Sequence, residues 1–396
     1  MASTGTYIVA GARTPIGKMS GALASFSAAD LGGIAIGEAL TRAGVAPDEV
    51  DHVIMGQVLM AGQGQVPSRQ AAVAAGIPMS VPAVNVNKVC LSGLNSIYLA
   101  HQMIASGDAD VVVAGGMESM TNAPYLAEGA RGGFRYGNTE LKDAIIADGL
   151  WCSFDACLMG LGTEQYASST SITREQQDEL AAESNERAAT AIKDGKLAEE
   201  IVAVSVPQRK GDPILVEDDE GVRPGTTVET LSKMRPAFDP EGSITAANAS
   251  QLSDGASAVV VMSKETAEAR GVDVLGEFVS YGMVAGPDNA SLLTQPSRAI
   301  RQAADKAGVD VADLDLFEIN EAFAAVGLAS IEELGISSDI VNVNGGAIAL
   351  GHPIGMSGNR LALTLLHELA RRGGGIGAAG LCGGGGQGDA IILRTV

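Results

Sequence analysis

The sequence predicts an α/β protein of layered architecture, built from two copies of one unit, and three observations carry that reading. Short apolar runs rich in β-branched residues alternate with helix-like segments. Two distant stretches of the chain repeat each other at a nearly constant offset. Glycine is in excess, 51 of 396 residues, with no G-X-Y period, so the surplus belongs in turns and close backbone contacts and not in a fibre.

Tyr7–Ala10, Val53–Met55 and Val84–Val86 are the first expected strands, short apolar runs that covering helices would bury. SGLNSIYLAHQMIASG is helix-like and stops at Gly107, and Val111–Val113 is the next strand. From 173 to 194, Thr173 and Gln176 form a capping-box pair ahead of a Glu/Gln/Ala/Arg-rich body, with Gly195 at the stop. That helix is mostly polar and is expected to be exposed. Ala258–Met262, Leu316–Ile319, Ile340–Val343 and Ala390–Leu393 complete the expected strands.

The repeat is visible residue by residue. ALTRAGVAPDEVD (39–51) aligns with AADKAGVDVADLD (303–315), an offset of 303 − 39 = 264. AVNVN (83–87) echoes IVNVN (340–344), and SGLNSIYLAHQMIASGDADVVVAGG (92–116) matches SGNRLALTLLHELARRGGGIGAAGL (357–381) at 357 − 92 = 265. Residues from about 120 to 250 have no copy and read as an inserted, more exposed region covering a site that the two copies build.

Composition excludes several functions. The charge is 26 − 47 = −21, which disfavours a phosphate-backbone binder, so nucleic acid is not an expected partner. No basic segment followed by an apolar run marks a secretory leader, and a cytoplasmic location is expected. The uncharged stretches 89–107 and 341–359 are interrupted by Ser, Asn, Gln, His, Gly or Pro, so no membrane span is expected. Four cysteines in so long a chain do not make a disulfide framework, and free thiols in a reducing compartment follow. Cys152 and Cys157, a C-x4-C pair with no second pair or His nearby, read as packing and not as a metal site.

The candidate chemistry sits at four points. Cys90 follows a strand and precedes a helix, where the helix-end dipole favours a thiolate; a small buried hydrophobe is the alternative for any free cysteine. His352 occupies the corresponding turn of the second copy, so pseudo-symmetry can bring its imidazole to Cys90; a loop histidine held by backbone hydrogen bonds is its alternative. Cys382, in GLCGGGGQG (380–388), is expected as an exposed thiol beside a backbone nest, suited to proton transfer next to an oxyanion, against an incidental cysteine in a flexible turn. Asn320 and Glu321 end the Leu316–Ile319 strand, where ligand-binding groups cluster, although a helix N-cap explains Asn320 equally well. His52, His101 and His367 have no such setting.

Taken together, VNKVCLSGLNSI (86–97), GGMESMTNAPY (115–125), NEAF (320–323), GGAIALGHPIGMSG (345–358) and GLCGGGGQG resemble the thiolases, especially their acetyl-CoA acetyltransferases. The resemblance covers nearly the whole chain, including GARTPIGK near its start and RPAFDPEGSITAANAS (235–250) in the insertion. It implies two pseudo-symmetric βαβαβαββ domains and an inserted loop domain, placed at 1–119 with 252–273, at 274–396 and at 120–251. It also implies a reversible Claisen condensation of two acetyl-CoA to acetoacetyl-CoA and CoA through an acyl-cysteine, with ping-pong kinetics. CoA thioesters are then substrates, with no permanently bound cofactor and no metal, and a homodimer or homotetramer is the expected assembly.

By the same resemblance, Cys90 is the acylated nucleophile, His352 its base and Cys382 the thiol that exchanges a proton with substrate. One oxyanion site would use His352 and a water held by Asn320, the other the N–H groups of Cys90 and Gly384. The glycines after Cys382 would keep side chains away from the thioester. Ser250 matches the serine contacting pantetheine, Arg223 a basic residue near the adenosine, and Leu158, Met159, Ala246 and Phe323 border the substrate. Biosynthetic members usually carry His-Met-Gly where this chain has Leu158-Met159-Gly160, and degradative members also have an apolar residue there. A degradative 3-ketoacyl-CoA thiolase of broader chain length is therefore one alternative. A ketoacyl synthase, disfavoured by Cys382, and a non-catalytic acyl-CoA or lipid-binding relative are the others.

Overall fold

The computed structural model describes residues 5–288 and 291–396. The main sheet holds β1 (Thr6–Arg13), β2 (His52–Gly56), β3 (Ala83–Val86), β4 (Val111–Ser119), β5 (Ser253–Ser263), β6 (Gly276–Ala285), β7 (Leu316–Ile319), β8 (Ile376–Gly383) and β9 (Gln387–Arg394). Their order is β7-β8-β9-β6-β1-β5-β4-β2-β3, with Gly17–Lys18 as a short addition to β5. The sequence repeat is a repeat of half-sheets. β1, β5, β4 and β2 recur as β6, β9, β8 and β7, each set antiparallel except for its last pair. Within the sheet, the pairs Tyr7↔Glu277 and Ile8↔Gly276 join the halves.

Helices α1 (Ala28–Ala43), α2 (Pro67–Ala74) and α3 (Ser92–Ser106) serve the first half. The insertion supplies α4 (Met159–Ala167) and α5 (Arg174–Lys193), and α6 (Lys264–Arg270) links the halves. The second half holds α7 (Gln295–Ala307), α8 (Ala324–Leu334) and α9 (Ser357–Arg371). Alternation along β5 defines the layers: Val259 and Val261 join Leu94, Ile97, Leu361 and Leu365 of α3 and α9, while Val260 and Met262 join Leu31, Ile36 and Leu40 of α1. Beyond the second half-sheet, Ile300 of α7 packs on Ala378, Ala390 and Ile392. Each fully buried Leu or Ile contributes about 1.5–3 kcal/mol, so the central α3/α9 layer, shared by both half-sheets, welds them together. Its two helices meet on bare backbone, since a Cβ at Gly358 would stand 2.5 Å from Leu94 N and one at Gly93 2.9 Å from Asn359 N.

Three expectations need correction. Ile340–Val343 is not a strand: Ser338–Ile340 is a 3-10 turn and Val341 makes a single bridge to Phe317. Asn342, at φ +47°, closes that ladder by bonding both the N–H and the carbonyl of Ile319 through its side chain at 2.8 Å. β8 escaped the apolar-run pattern because its glycines are required by packing; a Cβ at Gly377 would meet Leu316 O at 2.7 Å and one at Gly380 would meet Ile300 Cδ1 at 2.9 Å. The polar helix α5 is not exposed throughout. Its buried face carries Gln177, Asp178, Ser184 and Asn185, and all four side chains are hydrogen-bonded, Ser184 donating to Glu321 Oε2 at 2.7 Å, Asn248 to Asp178 Oδ1 at 2.9 Å and Gln177 Nε2 to Ser243 Oγ at 2.9 Å, although Gln177 Oε1 has no partner among the described residues. The capping box of Thr173 and Gln176 is present.

The insertion is anchored by a buried ion cluster. Arg13, at the end of β1, reaches Glu200 Oε1 at 2.7 Å and both oxygens of Asp219 at 2.7 and 2.9 Å. Removing one member of such a pair leaves an uncompensated buried charge at a cost of about 3–5 kcal/mol. Among the described residues no helix is long and apolar enough to cross a membrane.

Candidate active site

Cys90 lies in the tight turn between β3 and α3. The residue before it, Val89, has φ +51°, a conformation that a β-branched residue holds only at a cost of order 1–3 kcal/mol. Three bonds impose it: Lys88 N donates to Ser92 Oγ at 2.8 Å, Ser92 Oγ donates to Val89 O at 2.6 Å, and Val89 N donates to Asn87 Oδ1 at 3.1 Å. The thiol accepts from the N–H groups of Cys90 itself and of Gly384, which favour a thiolate. Burial outweighs them and pushes the thiol up to about 12, with Glu118 adding in the same direction. The expected lowering by the helix end is thus overturned, because desolvation of the thiolate exceeds what the orphan N–H groups return.

His352 sits in the loop before α9, the counterpart of α3. Its ring is buried, and desolvation, followed by the charge of Arg360, lowers its pKa to about 3. Ser357 Oγ lies 2.6 Å from Nδ1 and 2.9 Å from Pro353 O. The carbonyl can only accept, so the single hydroxyl proton points to it and the hydroxyl accepts from Nδ1–H. That tautomer leaves the Nε2 lone pair facing the site, with Asn320 Nδ2 at 3.4 Å. Asn320 is fully buried, its Oδ1 has no partner among the described residues, and α8 starts at Ala324 with Phe323 as cap, so the N-cap reading of Asn320 is excluded.

Cys382 is the penultimate residue of β8, in the hairpin that Gly384–Gly386 close. Contrary to expectation the thiol is buried, 4% exposed, and is pushed up to about 12 by desolvation and then by Cys90, which is near enough to act on it electrostatically. The glycines have packing reasons beyond the one expected. A Cβ at Gly383 would stand 2.6 Å from Leu91 Cγ, Gly385 and Gly386 have φ of +78° and +67°, and at Gly384 the nearest contact, Val89 Cγ1, is a looser 3.3 Å. Cys382 packs with Ala322, Phe323, Val326 and Met159.

A cavity of about 380 Å³ leads to His352. Leu158, Met159, Ala246, Ser250 and Phe323 line it, with Phe238, Leu150 and Ile354, and its walls are almost wholly apolar. The insertion and the second half meet there through the backbone: Ser250 N donates to Ala322 O at 3.0 Å and Ala324 N to Asn248 O at 2.9 Å. Phe238 and Phe323 cross edge to face at 6.1 Å. Arg223 is exposed and lies outside the cavity wall, its N–H bonded to Asn185 Oδ1 at 3.0 Å. Cys152 and Cys157 face each other across the hairpin that leads into Leu158. Among the described residues no group of three or more His, Cys, Asp or Glu side chains could hold a metal ion.

Sequence reasoning missed Ser357, Glu118 and the structural part of Glu321. Ser357 had a signal, since it is the repeat counterpart of Ser92, which locks the Cys90 turn. Glu118 is fully buried and accepts from Val58 N, Leu59 N and Gly355 N at 3.0–3.1 Å, so it pins the loop after β2 and the loop carrying His352. Burial pushes its carboxyl up to about 7 against those three bonds. Glu321 joins Ser184, Asn342 Nδ2 at 2.9 Å and Ile348 N at 3.1 Å, and so fixes the approach to the His352 loop.

Comparison with known proteins agrees with this layout. Residues 6–265 match the family described as thiolase, N-terminal domain, and residues 272–395 match thiolase, C-terminal domain. A protein of Mycobacterium leprae named "Probable acetyl-CoA acetyltransferase" is 56% identical over 393 residues, 99% of this chain and 100% of its own. The "Acetyl-CoA acetyltransferase" of Pseudomonas aeruginosa is 51% identical over 386 residues, 98% of each chain. That of Cupriavidus necator is 51% identical over 391 residues, 99% of each. The two matched segments meet where the two half-sheets do, between β5 and β6, and with relatives of this similarity along nearly the whole chain, the protein belongs to the thiolase family and is an acyltransferase.

Proposed function

We propose that the protein is an acetyl-CoA C-acetyltransferase that interconverts two acetyl-CoA with acetoacetyl-CoA and CoA by a ping-pong mechanism. The observation that carries this reading is the pair of neighbouring thiols, half-buried Cys90 and buried Cys382, together with the neutral imidazole of His352, whose Nε2 carries no proton. In the first half-reaction His352 Nε2 takes the proton of Cys90 as its sulfur attacks the acetyl-CoA carbonyl. The N–H groups of Cys90 and Gly384 stabilise the oxyanion, and CoA leaves with the proton. In the second, His352 Nε2 takes the proton of Cys382, and the resulting thiolate removes a methyl proton from another acetyl-CoA. The enolate oxygen is held by the protonated His352 Nε2–H and by a water on Asn320, whose unpartnered Oδ1 suits that task. The carbanion attacks the acetyl carbonyl on Cys90, the bond from that carbon to the Cys90 sulfur breaks, His352 returns its proton to the departing sulfur, and acetoacetyl-CoA leaves. Two thiols perform separate tasks, acyl carriage and proton exchange.

The apolar cavity fits the pantetheine arm, with Ser250 supplying a polar contact and Arg223 lying outward where the CoA phosphates would reach. Leu158, Met159, Ala246 and Phe323 border the acyl end. The two half-sheets and the insertion support a division into domains at 1–119 with 252–273, 120–251 and 274–396. A homodimer or homotetramer is supported by the exposed Val84 on the edge strand β3 and by exposed Tyr125, Phe134, Tyr136 and Trp151. Four free thiols support a cytoplasmic location.

The apolar cavity and Leu158 also favour a second reading, thiolysis of longer 3-ketoacyl-CoAs. Loss of acetoacetyl-CoA absorbance on adding CoA tests both readings when a twelve-carbon substrate is run beside it. Turnover of the short substrate alone supports the first; no turnover of either overturns both.

A further inference from the structure

Lys88 and Asp389 are 301 residues apart, yet their side chains meet and tie the Cys90 turn to the β8–β9 hairpin. Lys88 Nζ lies 2.7 Å from Asp389 Oδ1 and 2.9 Å from Oδ2, and Asp389 is fully buried. Lys88 stands two residues before Cys90. Asp389 faces Leu381 across the β8–β9 ladder, and its neighbour Gly388 faces Cys382. Tyr281 Oη donates to Asp389 Oδ2 at 2.8 Å and also meets the side chain of Asn95, one turn along α3 from the Cys90 turn. Tyr281 is fixed in turn by stacking on Tyr98 at 4.4 Å. The polar circuit therefore runs from the Cys90 turn, through β9 and β6, and back to α3.

Two further contacts between the Cys90 turn and the Cys382 hairpin fall on glycine. Leu91 rests on Gly383 and Val89 on Gly384, so at these two points only one partner has a side chain. A bare backbone surface permits sliding, whereas an ammonium bonded to both oxygens of a buried carboxylate does not.

We propose that Lys88 and Asp389 are positioning residues that set the separation of the Cys90 and Cys382 sulfurs and aim the Gly384 N–H at Cys90. This deepens, and rests on, the two-thiol reading of the site. Neither side chain touches substrate; the pair acts through the two turns that do. Misplacement of reacting groups by about 1 Å costs up to about a hundredfold in rate.

The test compares Lys88→Met, Lys88→Arg and Asp389→Asn with the unsubstituted chain, all carrying Cys152→Ser and Cys157→Ser. Dibromobimane, which fluoresces after bridging two thiols, reports the Cys90–Cys382 separation without any turnover. Acetoacetyl-CoA thiolysis reports the chemistry. Lys88→Met is expected to lower kcat about tenfold to a hundredfold with KM changed less than about twofold, and to lower the bridging rate. Lys88→Arg should recover most of both. Asp389→Asn keeps the bond to Tyr281 and leaves only the Lys88 ammonium, 22% exposed and able to turn toward water, without its carboxylate, so it gives the same two losses even where Lys88→Met fails to fold. Unchanged bridging and kcat in Asp389→Asn overturn the inference, as does a fall in kcat with bridging unaltered. If the unsubstituted chain turns over no acetoacetyl-CoA, the two-thiol reading of function fails, while the bridging comparison still judges the pair.

Discussion

Ser357 Oγ accepts the Nδ1 proton of His352 at 2.6 Å because its own proton is committed to Pro353 O at 2.9 Å. A one-proton hydroxyl thereby fixes the tautomer of a base that burial keeps neutral down to about pH 3. Ser357→Ala frees the ring to turn or to adopt the other tautomer. The expected loss is about tenfold to a hundredfold in kcat, with a much smaller change in KM. Steady-state thiolysis of acetoacetyl-CoA measures both; an unchanged kcat would remove Ser357 from the mechanism.

Cys90 is expected to carry the acetyl group. Incubation with acetyl-CoA, acid quenching and peptide mass mapping locate the label. Cys90→Ala should abolish labelling and turnover together. Label accumulating on Cys382, Cys152 or Cys157 instead contradicts the assignment.

The raised pKa of Cys90 has a kinetic signature. Below about 12 the thiolate fraction of such a group grows about tenfold per pH unit, so inactivation by iodoacetamide should climb steeply from about pH 7 to pH 10 without levelling. Ionisation of Glu118 near pH 7 places a second charge close to Cys90 and should flatten the climb there. A plateau near pH 8 would mean that the helix end and the two N–H groups outweigh burial after all.

Cys382→Ser should divide the reaction. The hydroxyl is a far poorer acid and base near neutral pH than a thiol, so overall condensation is expected to fall by about a thousandfold or more. Release of CoA in the first turnover from acetyl-CoA, which the proposed mechanism assigns to Cys90 and His352, should persist in part, whereas His352→Ala should suppress that burst. Equal loss of both steps in Cys382→Ser would refute the division.

Under the proposed function, chain length depends on how far the cavity is closed. One methylene is worth only about 1–3 kcal/mol in an apolar pocket, so a sharp preference for acetoacetyl-CoA requires steric closure by Met159, Phe238 or Phe323. A fall in kcat/KM between four-carbon and eight-carbon substrates is expected. A steady rise to twelve carbons would favour the degradative reading. Leu158→His should lower KM for CoA thioesters, because position 158 faces the cavity immediately before α4.

The helices and strands that follow period or capping rules were legible because those rules are local. Thr173 and Gln176 mark the start of α5, and the 92–116 and 357–381 copies became α3 with β4 and α9 with β8. Two errors have one origin. β8 is glycine-rich and α5 is polar because neighbours from distant parts of the chain, Ile300 and Leu316 in one case and Glu321 and Asn248 in the other, dictate those residues. No window along the sequence contains both partners.

The sequence by itself determined the α/β class, the internal repeat and the identity of Cys90, His352, Cys382 and Asn320 as the residues to examine, since turns after strands and motif spacing depend only on nearby residues. Tertiary structure alone decided their ionisation and geometry. Helix-end reasoning favours a thiolate at Cys90, yet desolvation by the packed halves sets it as a thiol; the Ser357 hydroxyl, not the histidine's own surroundings in sequence, sets the tautomer of His352. Electrostatic free energy depends on every charge and every excluded water within about 10 Å, and folding brings that shell together from residues hundreds of positions apart.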